Sequence, residues 1–236
     1  MPGMDRQELI QAFAGLRVSD VSDAMDAVGL FERGSMNPKV RPLYRDVEDF
    51  SHRIAGPALT VRYVPTNREV PNMPPEDFDA WVGRWYRDIS PEKYRSEIAA
   101  GDVLVIDAAE QDVGFIGSNN CLAWLNAGAI GVVTNGGARD TDELIKQRCP
   151  VYSRYVSRGF KPGRLELDAV GAPVNVGGVL VRRGDMVVAD GDGVIVVPVE
   201  KAEQVAAIAR RILDGDRKGR RKLYDQRGLP PDSTVA

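Results

Sequence analysis

The chain has 236 residues, 43% hydrophobic and 28% charged, with a formal net charge of −3. That length allows one large domain or two small ones around a well-buried core, and the slight acidity lacks the basic excess of a nucleic-acid binder. Cys121 and Cys149 lie outside any CxxC pair, no apolar stretch approaches the ~20 residues of a membrane span, and MPGMDRQELIQAF lacks a secretory pattern. A disulfide scaffold, a thiolate zinc site and a membrane partner are therefore not expected, and the cytoplasm is the expected compartment.

DRQELIQAFAGL (5–16) has helical periodicity behind an N-cap at Asp5. VSDVSDAMDAVG (18–29) reads as a second helix, capped by Ser19 or Asp20 and ended by Gly29. RIAGPALTVRYV (53–64) is strand-like. The segment 66–98 begins Pro-rich and then carries Phe78, Trp81, Trp85 and Tyr86 at helical spacing. Such an aromatic insertion either docks a short helix on the body or forms a lid over a pocket.

DVLVID (102–107) is a buried-type strand followed by the loop AAEQDVGFIG. A helix at 118–129, a strand at 130–135, a helix at 141–148 and a strand at 150–156 come next. This alternation predicts parallel strands with right-handed crossovers. Between 172 and 199, short β-runs separated by GG, RGD and DGDG predict hairpins or a compact β-layer. An amphipathic helix is expected at 200–216, with the basic run DRKGRRK (216–222) as a solvated helix end; 217–236 is the C-terminal tail, whose part RRKLYDQRGLPPDSTVA (220–236) reads as extended. No repeat or linker divides the chain. The expectation is a single α/β domain over 1–236, with a β-rich core, parallel strand–helix crossovers and flanking helices.

His52 is the only histidine, which excludes a multi-histidine metal site and points to a surface or structural role. No glycine fingerprint for a dinucleotide and no phosphate loop appears. DGDG (190–193) lacks the downstream acid of a calcium loop and reads as a hairpin turn. The crossover unit carries the stronger signal, because ligands in open parallel sheets bind outside the C-terminal strand ends. There, Gly117-Ser118-Asn119-Asn120 leads into a helix whose free N–H groups suit a carboxylate or phosphate. The next loop, GGARDTDEL, presents Arg139 and Asp140 after two glycines at a tight turn. Arginine binds a carboxylate through two parallel hydrogen bonds, and aspartate is a hard oxygen ligand for Mg²⁺ or Mn²⁺. Together these groups suit a small 2-oxo acid held against a metal ion. Asp140 with Glu143 also fits a helix capping box.

At these residues the sequence resembles the RraA-like family, which includes 4-hydroxy-4-methyl-2-oxoglutarate aldolases and regulators of ribonuclease E. The resemblance is carried by residues 117–152 (GSNNCLAWLNAGAIGVVTNGGARDTDELIKQRCPVY), and by SDAMDAVG, AGPALTVR and VNVGGVLVRRGDMVVADGDGVIVVP; it runs from about residue 18 to about 212. It implies an α/β fold with a β-rich core, assembled as a homotrimer or a pair of trimers. In the aldolases the site lies between subunits. The resemblance further implies a lyase that cleaves or decarboxylates a 2-oxo acid through a metal-stabilised enolate. Asp140 would bind the Mg²⁺ or Mn²⁺, Arg139 would hold substrate and stabilise the enolate, and the Gly117–Asn120 backbone would hold the pyruvyl carboxylate.

The family motif is an acid, twenty intervening residues, then Arg-Asp, and here the acid's place is taken by Ser118. Glu110 or Asp112 could substitute, and Asp214 or Asp216 could supply the acid that the aldolases take from a neighbouring subunit. The insertion at 66–98 is a further departure from shorter relatives. The alternatives are a non-catalytic regulator binding ribonuclease E, and a lyase acting on a sugar-derived oxo acid. Retention of Asp140 favours an enzyme, since the regulators tend to lose it; Ser118 favours altered or lost aldolase activity.

Overall fold

The computed structural model describes residues 4–235. Helix α1 (Arg6–Phe13) opens on a complete capping box, in which Asp5 accepts from the Glu8 N–H and Glu8 accepts from the Asp5 N–H. Helix α2 (Val18–Ala27) starts one residue before the Ser19 or Asp20 cap read from the sequence. Asp20 lies inside its first turn, where its carboxylate accepts from the Arg17 backbone N–H and guanidinium. The buried acid thus acts from within the helix, because Arg17 offers it a charged partner that a capped amide would not.

The strands are β1 (Arg41–Pro42), β2 (Ile54–Pro65), β3 (Val103–Asp107), β4 (Gly114–Ile116), β5 (Gly131–Ala138), β6 (Val151–Val156), β7 (Leu165–Val170), β8 (Val174–Val176), β9 (Val179–Val181), β10 (Met186–Asp190) and β11 (Gly193–Val197). Nine of them form one sheet in the order β1-β6-β5-β3-β2-β10-β11, with β4 added to β5 and β7 to β2, while β8 and β9 pair separately. Strands β2, β3, β5 and β6 run parallel, and their Val- and Ile-rich cores are buried on both faces, as such sheets require. The long β2 hands its pairing from β10 at its start to β3 and β7 further on. The GG, RGD and DGDG runs fall at turns of the β8–β11 segment, DGDG closing the β10–β11 hairpin.

Helices flank this sheet. α1, α2 and α6 (Val199–Arg227) bury Phe13, Val21, Met25, Val205 and Leu213 against Met186, Val188 and Ile195. Helix α4 (Ser118–Ala127) packs Cys121 and Trp124 into a second cluster with Leu104, Ile106 and Val132. Within the insertion, α3 (Phe78–Arg84) and the π-type turn that follows bury Trp81 and Trp85, and the Trp85 indole N–H donates to the Leu165 carbonyl at 3.2 Å. The strand β7 that receives this bond is not apparent from the mixed sequence LELDAV.

Two boundaries differ from the sequence reading. Helix α6 runs on to Arg227, so residues 220–227 are helical rather than part of an extended tail. No proline interrupts them before Pro230, and Arg, Lys and Leu are good helix formers. Pairs such as Arg17–Asp216 and Arg221–Asp225 hold the polar face. The two glycines before Arg139 are not a tight turn but the last part of β5. They admit β4 at close range: a Cβ on Gly136 would stand 2.7 Å from both the Ala108 and Phe115 side chains.

Candidate active site

The end of β5 and the start of α4 meet through the backbone, where the Arg139 N–H donates to the Ile116 carbonyl at 2.8 Å. This bond sets Arg139 and Asp140 beside Gly117 and Ser118. Asp140 adopts a left-handed conformation, φ 54° and ψ 41°, directly before α5 (Thr141–Lys146). Aspartate tolerates that region better than most residues.

The capping-box reading of Asp140 with Glu143 does not hold. The Asp140 side chain makes no cap bond to α5. The left-handed backbone turns its carboxylate across to α4 instead, where Oδ2 accepts from the Ser118 N–H at 3.2 Å. Oδ1 has a long 3.8 Å ion pair with Arg139 Nε, and both side chains are about 40% exposed. A Cβ on Gly117 would lie 2.7 Å from Asp140 Oδ2, so this close approach requires glycine.

Gly117, the residue before α4, has no side chain to cap the helix, and of the helix's first N–H groups that of Ser118 goes to Asp140. Its first helical bond runs from the Cys121 N–H to the Gly117 carbonyl, and the Asn119 and Asn120 N–H groups have no partner among the described residues. The Asn120 side chain is engaged elsewhere, donating to Glu92 at 2.7 Å.

Beside Arg139 and Asp140 opens a cleft of about 670 Å³, also lined by Thr141, Val156, Ser157 and Arg158. Ser157 and Arg158 follow β6, the last of the four parallel strands, whose C-terminal end lies on the same side as that of β5. The rule that ligands bind outside the C-terminal ends of parallel strands points to these residues at the end of β6, as it does at the ends of β3 and β5. Arg158 is exposed and forms no ion pair among the described residues. The Arg139 guanidinium carbon also stands 6.0 Å from the Phe160 ring, which packs on Phe78 of the insertion.

The possible substitutes for the acid replaced by Ser118 are differently placed. Glu110 pairs with Arg154 at 2.6 Å, and Asp216 with Arg17 at 2.6 Å. Asp214 lines another cavity with Arg217 and Lys218. Asp112 is exposed near the cleft, its carbonyl accepting from the Ser157 hydroxyl. His52 is structural and buried rather than on the surface: its Nδ1 accepts from the Asp46 N–H, and burial holds its pKa below the ordinary value.

Among the described residues no group of three or more His, Cys, Asp or Glu side chains is arranged to hold a metal. The described residues therefore offer no all-protein cage. Mg²⁺ keeps several waters and is commonly held by one or two carboxylates plus substrate oxygens. The half-exposed Asp140, with one oxygen engaged only by a long ion pair, fits that kind of water-rich site.

The chain is thus a mixed α/β fold that presents a carboxylate and a guanidinium at the ends of its parallel strands. The family comparison is specific: residues 18–196 match the RraA-like family (Aldolase/RraA), and the chain belongs to it. A protein from Halalkalibacterium halodurans, provisionally named 4-hydroxy-4-methyl-2-oxoglutarate aldolase, is 24% identical over 92% of this chain and 90% of its own length. Protein DlpA of Legionella pneumophila is 24% identical over 84% of this chain, a match that spans only 28% of DlpA. In fold, the chain is similar to Streptomyces coelicolor RraAS2, described as an unusual member of the RNase ES inhibitor RraA protein family. That likeness has a TM-score of 0.72 at 24% identity, covering 91% of this chain and 98% of the other.

Proposed function

We propose that the chain is a divalent-metal-dependent lyase acting on a small 2-oxo acid, working in the cytoplasm as a homotrimer or a pair of trimers. The observation that carries this reading is the Asp140 carboxylate, turned by its left-handed backbone onto the Ser118 N–H with Arg139 alongside. Asp140 would hold Mg²⁺ or Mn²⁺, and the bound ion would supply Lewis-acid polarisation of the keto group.

The remaining work falls to the chain's own groups. The free N–H groups of Asn119 and Asn120 receive the substrate carboxylate at the positive end of α4. Arg139 fixes its orientation through paired hydrogen bonds and places permanent positive charge beside the enolate oxygen as the C–C bond breaks. Loss of one such donor costs about 3 kcal/mol in enzymes where it has been removed. Arg158, which also lines the cleft, adds a second cation for a substrate that carries a further negative group.

Ser118 bears on which bond breaks. Aldol cleavage requires a base to take the proton of the substrate's 4-hydroxyl, and a serine hydroxyl is a poor base at neutral pH. Decarboxylation of a β-carboxylate needs no such base: CO₂ leaves with its bond electrons passing to the enolate, which then takes a proton from water. The reading therefore favours decarboxylation over aldol cleavage. Assays of CO₂ and pyruvate release from oxaloacetate and from 4-hydroxy-2-oxo acids, with and without EDTA, test it. Metal-dependent turnover of none of them by folded protein would refute the lyase.

Ser118 also motivates the second reading, a non-catalytic regulator binding ribonuclease E. Capture of that nuclease, equal with and without metal and unchanged in Asp140→Ala, would favour it.

A further inference from the structure

The insertion sends one carboxylate into the body. Glu92, between the buried Trp85 and Tyr94, accepts on Oε1 from two donors: Asn120 Nδ2 at 2.7 Å and Lys161 Nζ at 2.8 Å. The Lys161 side chain is only 1% exposed. Its ammonium also donates to the Tyr63 hydroxyl at 3.3 Å and lies about 5 Å from the ring centres of Tyr63 (4.9 Å) and Tyr86 (5.0 Å). The Tyr63 hydroxyl in turn meets that of Tyr94 at 3.1 Å. A buried ammonium is costly without a partner, and Glu92 is the carboxylate paired with this one.

The two donors belong to two segments next to Arg139 and Asp140. Asn120 lies in the first turn of α4, whose Ser118 N–H binds Asp140. Lys161 lies in the segment after β6 that also carries Arg158, a residue lining the cleft. We infer that Glu92 is a positioning residue: acting through Asn120 and Lys161, it ties the first turn of α4 to the segment after β6 and so sets the spacing between them. The insertion is thereby a buttress for the cleft, whatever part of it also moves. Its consequence for ligand binding rests on the lyase reading above; the mechanical link does not.

The test combines amide hydrogen exchange of the full chain with binding of oxalate in the presence of Mg²⁺. The proteins are wild type, Glu92→Ala, Glu92→Gln and, as a control in the same insertion, Glu97→Gln, whose residue pairs with Arg183 at the surface. Glu92→Ala is expected to speed exchange at least fivefold in both 118–122 and 158–164, and to weaken oxalate about tenfold with Mg²⁺ affinity within twofold of wild type. Glu92→Gln retains an acceptor oxygen for Asn120 and is expected to recover most of the oxalate affinity, while Glu97→Gln changes neither readout. If Glu92→Ala does not fold, Glu92→Gln is read alone, with faster exchange expected at 158–164, where Lys161 has lost its counter-charge. Unchanged exchange in these segments, or raised exchange with unaltered oxalate affinity, would overturn the inference. If oxalate fails to bind even wild type, the lyase reading fails, and exchange alone decides whether Glu92 makes the link.

Discussion

Asp140 is the residue on which the proposed chemistry turns, and Gly117 is the residue that lets it reach its position. Because a Cβ at 117 would stand 2.7 Å from Asp140 Oδ2, Gly117→Ala is expected to displace the carboxylate and weaken Mg²⁺ binding without unfolding the chain. Titration calorimetry with circular dichroism checks both halves. Arg139→Ala is expected to lower kcat about 10²–10³-fold, the range seen when a preorganised donor to an oxyanion is removed. Restoring an acid by Ser118→Asp puts a second carboxylate next to Asp140. It should tighten Mg²⁺ and raise aldol cleavage relative to decarboxylation, measured as the ratio of the two rates. The placement of the Arg-Asp pair at a strand end was legible from the apolar run that precedes it. Its geometry was not, since a carboxylate that caps α5 and one that turns across to α4 share one local sequence, and only the backbone at Asp140 separates them.

At the level of elements, the crossover β3–α4–β5 was readable because its strands are continuous apolar runs bounded by helical periodicity. Ser157 and Arg158 follow from the same rule at the next strand end, since the helix at 141–148 makes β6 a parallel neighbour of β5. The end of α6 is obscured, because beyond Leu213 the helix buries no apolar residue, so its polar, basic sequence carries no apolar stripe to mark it. For the insertion, Trp85→Ala is expected to destabilise the chain by about 3–5 kcal/mol, the usual range for emptying a buried aromatic site. Urea denaturation measures it. The indole is almost wholly buried and also loses its bond to Leu165, which supports the upper part of that range.

Across the whole molecule, three apolar clusters lie on and between the sheet, the flanking helices and the β8–β9 pair, and their residues are mostly Val, Ile, Leu and Ala. Buried titratable groups then decide how stability responds to pH. His52, whose pKa is held down by burial, stays neutral in the folded chain while the unfolded chain takes up a proton. Its contribution to stability is therefore complete above pH ~6.5 and is lost as pH falls from there toward the lower folded-state pKa. Denaturation of wild type and His52→Gln at stepped pH should show a smaller decline below pH ~6.5 in the variant.

The central claim is that Asp140 serves a metal-dependent lyase, and oxaloacetate decarboxylation measures it most directly once the rate due to Mg²⁺ without protein is subtracted. The account predicts CO₂ release that requires Mg²⁺ or Mn²⁺, stops with EDTA, returns when metal is restored, and falls to background in folded Asp140→Ala. Turnover that ignores EDTA, or that survives in Asp140→Ala, would contradict it.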